Sequence, residues 1–149
     1  MRDAFLAAGY PGSSLVMVDL KPNNGDNIAA AESQIVNAVE LRRADWQKSY
    51  TEAGCQDAPA FKVDLVTHSM GAFSGRWYAT RVAPDRVHTF ISIAGANHGT
   101  SALCQSTGTG TGAGNQQMCP AFANAATESQ AQVALNGTSE VPLDETPYG

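Results

Sequence analysis

Positive charge is scarce in this chain. Its 149 residues hold 9 Lys plus Arg against 14 Asp plus Glu, a net charge of −5. A nucleic-acid binder needs a basic patch or stripe to neutralise phosphates, so nucleic acid is excluded as a partner. Long apolar runs are absent too, and none reaches the length of a transmembrane helix. The N-terminal stretch Met1–Tyr10 has too short an apolar core for a signal peptide. Histidine and cysteine occur three times each, with no His/Cys/Asp cluster at ligand spacing. No metal and no cofactor are therefore expected. Three cysteines, Cys55, Cys104 and Cys119, leave one thiol over if two pair.

What the chain does have is apolar content, with 43% hydrophobic residues, enough for the core of a single domain spanning 1–149. Residues 1–9 read as an amphipathic helix closed by Gly9 and the Tyr10-Pro11-Gly12 turn. Ser14–Leu20 reads as a strand, since Leu15, Val16, Met17 and Val18 run continuously apolar, the mark of a strand buried on both faces. After a polar loop, a long helix capped by Asp26 or Asn27 carries Ile28, Ile35, Val39, Trp46, Tyr50 and Ala53 at helical spacing, and Gly54 stops it. A strand ends at Thr67, a helix covers 70–82 before Ala83-Pro84, and a third strand runs Val87–Ala94. Strands alternating with helices predict an α/β class with a mostly parallel sheet. Ser106–Asn115 is Gly/Thr-rich and reads as a surface loop. Short helical patterns follow at Pro120–Ala126 and Glu128–Leu135.

The chemistry concentrates at Val63–Gly71. The short apolar strand delivers Ser69 into a tight turn, and a helical pattern starts at once with Met70, Phe73, Trp77 and Tyr78. A serine on a sharp strand-to-helix turn is the nucleophile-elbow arrangement. The turn lifts the hydroxyl out of the sheet, and the helix N-terminus favours developing negative charge. Ser69 is the expected nucleophile and the Met70 N–H an expected oxyanion donor. Thr67, His68 and Gly71 complete the elbow, with Gly71 letting the helix leave the turn. Thr67 stands where the G-x-S-x-G pattern has its first glycine, a position needing a small residue. The plainer alternative is that Ser69 only caps the helix.

The pieces "THSMG", "GRWYATRVAPDRV", "FISIAGANHGT" and "LNGT…DETPYG" resemble bacterial lipases and esterases of the α/β-hydrolase superfamily. The resemblance covers most of the chain and is strongest over 63–100. It implies a partial α/β-hydrolase fold with flanking helices and a lid-like insertion after the third strand, at 101–136. Surface decoration is the competing view of that insertion. It also implies a secreted carboxylic ester hydrolase acting on acylglycerols or similar esters at a lipid–water interface, through an acyl-enzyme on Ser69.

The triad order Ser, acid, His places the acid and base after the "DETP" segment, so both are expected beyond Gly149. The earlier strand and loop that give the second oxyanion donor are not matched either. The chain reads as the middle of a lipase, inactive alone. The alternatives are a non-catalytic remnant, or an amidase or acyltransferase on the same fold.

Neither His68, adjacent to Ser69, nor His88 is expected to act as base. His98 ends a strand and could approach the site, but reads as structural. Asp19 and Asp64 read as structural acids. Cys104 and Cys119 bracket the Gly/Thr-rich stretch and are expected to pair, since closing a loop of about 15 residues is worth roughly 3 kcal/mol in the chain-entropy model. Three reduced thiols is the other possibility.

Overall fold

A computed structural model describes residues 1–55, 58–102, 113–120 and 129–136. The first helix, α1 (Arg2–Ala7), buries no residue. The second, α2 (Asn27–Ala29), continues through a π-helical stretch, Ala30–Ile35, into α3 (Val36–Glu52). Asp26 is the cap, its carboxylate accepting from Ile28 N (2.8 Å) and Ala29 N (3.0 Å). Asn27 is instead buried, donating to Gly114 O and accepting from Ser74 Oγ. Gly54, at φ +76, ends the helix as the pattern requires.

Strand β1 (Val63–His68) leads into α4 (Gly71–Trp77), which runs on as a π-helical stretch, Tyr78–Val82. Ala83 leaves the helical region and Pro84 opens a short 3₁₀ turn. Strand β2 (Val87–Ile93) then pairs parallel with β1, a β–α–β unit. Val66 faces Ile91 and His68 faces Ile93 in the register, with a bulge between Val63 and Asp64. Helices α5 (Ala113–Gln117) and α6 (Gln130–Asn136) close the described part. The class is thus mixed α and β with parallel pairing, but among the described residues the sheet has two strands where three were expected.

The missing strand is Ser14–Leu20. Its start is a 3₁₀ turn, Gly12–Ser14, and Leu15–Leu20 joins no ladder. Val16, Met17 and Val18 are 46%, 62% and 41% exposed. The segment is held at its end instead, where the Gln34 side chain bonds both Lys21 N and Lys21 O. Apolarity alone does not make a strand when no neighbour offers backbone donors and acceptors. One smaller difference and one expectation outside the described residues lie in the 101–136 region. Helix α5 begins at Ala113, inside the expected loop, and of Pro120–Ala126 all but Pro120 falls outside the described residues.

Two apolar clusters hold these elements. In one, Ala31, Ile35, Val39 and Tyr78 are buried, with Leu20, Val63, Leu65 and Val87 packed on them. In the other, Phe73, Met118 and Leu135 are buried, with Met70, Trp77, Ala96 and Ala131 against them. Helix α4 belongs to both, so it fixes the sheet relative to α6. No helix among the described residues is long and apolar enough to cross a membrane.

Candidate active site at the β1–α4 turn

Ser69 sits between the last residue of β1 and the first turn of α4 with φ +53. That left-handed backbone is unusual for a residue with a Cβ and costs on the order of 1–3 kcal/mol. A serine that merely caps a helix has an extended backbone and bonds an N–H of the first turn with its hydroxyl. Ser69 does neither; its side chain makes no hydrogen bond among the described residues, and the residue is exposed. The turn is held by its backbone. Ser69 N–H donates to Ile93 O (3.0 Å), while Ala72 N and Phe73 N donate to Ser69 O and Met70 O at 3.0 and 3.1 Å. Met70 N–H has no partner among the described residues.

The small residue that the close helix–strand approach requires is in an unexpected place. A Cβ at Gly71 would meet nothing within 4 Å, and its φ is not positive, so no steric demand falls there. The demand falls on Gly75, one turn further, where a Cβ would collide with the Thr67 methyl and lie 3.2 Å from Phe90 Cε2. Threonine is accommodated at 67 because helix position 75 lacks a side chain. Thr67 Oγ1 is satisfied as well, donating to Ile91 O (3.0 Å).

The strand beside Ser69 ends in a second left-handed residue, Ala94 (φ +49). Gly95 then crosses the start of α4 so closely that a Cβ there would lie 2.6 Å from Ala72 Cβ. The 96–99 loop follows, closed by Gly99 N–H to Ala96 O (2.9 Å). Gly99 itself is pressed on the backbone of Cys119 and Pro120, and Thr100 N–H reaches Met118 O (2.7 Å).

The histidines are dispersed. His68 is exposed, on the sheet face it shares with Ile93. His88 Nδ1 lies 2.9 Å from Asp64 Oδ1, both side chains well exposed. That pair stands at the entry end of the sheet; five residues of strand, about 16 Å, separate Asp64 from Ser69. It does not serve the serine. His98 is exposed in the 96–99 loop, with no hydrogen bond from its ring among the described residues. Asp19 pairs with Lys21 at 2.8 Å on the surface. Of the residues expected at the site, Thr67, His68, Ser69, Met70 and Gly71 are thus together, without a base or an acid beside them among the described residues.

Cys119 is disulfide-bonded and buried, and Cys55 is free and exposed. Cys104 and most of the Gly/Thr-rich stretch lie outside the described residues. The described parts of 101–136 contribute to the core, with Met118 and Leu135 1% and 4% exposed.

A set of buried polar residues escaped the sequence reading: Arg76, Gln132 and Asn136, at 5%, 0% and 0% exposure. Arg76 had one signal, lying four residues after Ala72 on the helix face that packs inward. Gln132 and Asn136 share the i, i+4 spacing, but polar residues in a short helix usually mark a solvated face. The chain matches no family model, no curated protein and no solved structure.

Proposed function

We propose that this chain carries the nucleophile elbow of a serine ester hydrolase of lipase or esterase type on an α/β-hydrolase fold. The observation that carries the proposal is the left-handed backbone of an exposed Ser69 at a parallel-strand-to-helix turn. Strain at a surface turn persists when the surrounding packing over-determines it, and it clusters where a side chain must be presented.

In this proposal Ser69 Oγ attacks the ester carbonyl carbon, the alcohol leaves, and water releases the acid from the acyl-enzyme. The Met70 N–H faces the oxyanion as it forms. Ile93, 42% exposed and bonded through its carbonyl to Ser69 N–H, puts apolar surface beside the nucleophile, which suits an acyl chain. Acylglycerol substrates, a lipid–water interface and secretion belong to the same proposal. A second reading has its own observation: with no histidine bonded to Ser69 among the described residues, the hydroxyl lacks activation. In that reading the chain is a non-catalytic α/β-hydrolase piece.

Hydrolysis of p-nitrophenyl butyrate, with and without Ser69→Ala, separates the two. Under the first reading the substitution lowers the rate by about three orders of magnitude or more. Turnover that survives Ser69→Ala sinks the nucleophile assignment. An inactive chain is the expected outcome of both readings, since no described residue supplies a base to Ser69, so the comparison is read on protein in which an acid and a histidine are supplied to it.

A further inference from the structure

Arg76 is a buried cation with no carboxylate partner among the described residues. Such a charge is costly unless its donors are well placed. Arg76 Nη1 donates to Asn97 O (2.8 Å) and to Asn136 Oδ1 (2.7 Å), and Nη2 to Leu135 O (3.4 Å). Asn136 Nδ2 in turn donates to Asn97 O and to Gln132 O and Oε1, each at 3.0 Å. Gln132 Nε2 donates to Ala96 O (3.2 Å). Three buried side chains from α4 and α6 thus grip two successive carbonyls of one loop.

That loop starts at the nucleophile. Ser69 N–H is bonded to Ile93 O, and Gly95 lies against Ala72 before Ala96 and Asn97 are reached. Ala96, together with Ala131 and Leu135 of α6, packs in the same apolar cluster as Met70. An apolar side chain at 76 would fill this space without the desolvation cost of a cation. A guanidinium adds a rigid fork that bonds separate acceptors at fixed angles, which an ammonium does not reproduce.

We infer that Arg76 is a positioning residue: through Asn97 O and Asn136 it holds α6 and the 96–98 loop against Met70, fixing the Met70 N–H where an oxyanion develops. The inference rests on the ester-hydrolase proposal and makes α6 a fixed wall of that site.

The test uses the protein with Arg76→Lys, and with Asn136→Ala in case the first does not fold. Amide exchange at Gly99 and Val133, whose N–H groups bond Ala96 O and Ser129 O, reads the clamp. Both should exchange about tenfold faster, with the β1–β2 ladder amides unchanged, and the Met70 amide should shift in its NMR spectrum. Turnover of p-nitrophenyl butyrate, per active site titrated by the p-nitrophenolate burst, reads the oxyanion donor. Because that contact strengthens in the transition state, kcat should fall about tenfold with KM within about twofold. Unchanged exchange, an unmoved Met70 amide, or a change confined to KM would overturn the inference. Failure of the hydrolase proposal shows separately, as turnover indifferent to Ser69→Ala.

Discussion

Leu15–Val18 is apolar at every position, whereas β1 carries a charge, Asp64, inside its run. Yet β1 is paired along its length, and the more apolar segment pairs with no strand among the described residues and leaves Met17 62% exposed. The difference lies in the neighbours. β1 has β2 to take its backbone groups, and α4 and the first apolar cluster cover the Leu65 side of the sheet. Leu15–Leu20 has only its last residue, Leu20, against that cluster. One face of this ladder is covered while Ile91 and Ile93 on the other are exposed, and the βα turn that follows β1 is also where Ser69 stands. Packing and candidate chemistry therefore fall in the same half of the described fold.

The sharpest way to break that half is at the α4–β1 approach. Gly75→Ala places a methyl into the Thr67 methyl, between a helix and a strand that are both held. It should destabilise the protein by about 2 kcal/mol, as overpacking in a filled core does. Thr67→Ser removes the offending methyl and keeps the hydroxyl bonded to Ile91 O, so the double variant should recover most of the loss. Urea unfolding of both singles and the double gives the coupling. Additive losses would mean that residues 67 and 75 do not touch.

A gentler test compares the two apolar runs directly. Leu65→Ala removes side-chain contacts in the first cluster and should cost about 2 kcal/mol. Met17→Ala, on an exposed and unpaired segment, should stay within about 0.5 kcal/mol. If unfolding midpoints show equal losses, residues 15–20 are packed in solution and the contrast drawn above fails.

Much of the paired half was legible in the sequence because its signals are local. Periodicity in residues 28–53, the Gly54 stop, the Ala83-Pro84 break and the β-branched run at 63–66 each report on a few neighbours along the chain. The strand-to-helix turn at Ser69 was legible for the same reason. What was not legible depends on partners far away in sequence. Whether Leu15–Leu20 is a strand depends on a neighbouring strand, and whether Gly75 or Gly71 bears the steric load depends on Thr67 across the turn. The role of Arg76 depends on Asn97 and Asn136, 21 and 60 residues on. Fold-level detail beyond a parallel β–α–β unit needs such contacts, so sequence pattern stops there.

The smallest effect concerns the joint between the two halves. Asp26 caps α2 and also accepts from Gln117 Nε2 of α5 at 2.8 Å, so one carboxylate ties the polar loop to the region behind the site. The Gln117 bond first, then the backbone N–H of Ala29, hold its pKa below the usual 3.8. Both favour the charged form. A depressed folded-state pKa binds fewer protons folded than unfolded, so stability rises with pH across this range. The contribution is fully present above the unfolded value and is lost as pH falls through the lower folded one. The carboxylate is mostly exposed, so screening keeps the effect small. Asp26→Asn should therefore lower the thermal midpoint slightly at pH 7, and the gap between variant and parent should close on acidification below about pH 4. A gap that stays constant down to pH 2, read by circular dichroism, would show that charge on Asp26 contributes nothing to this joint.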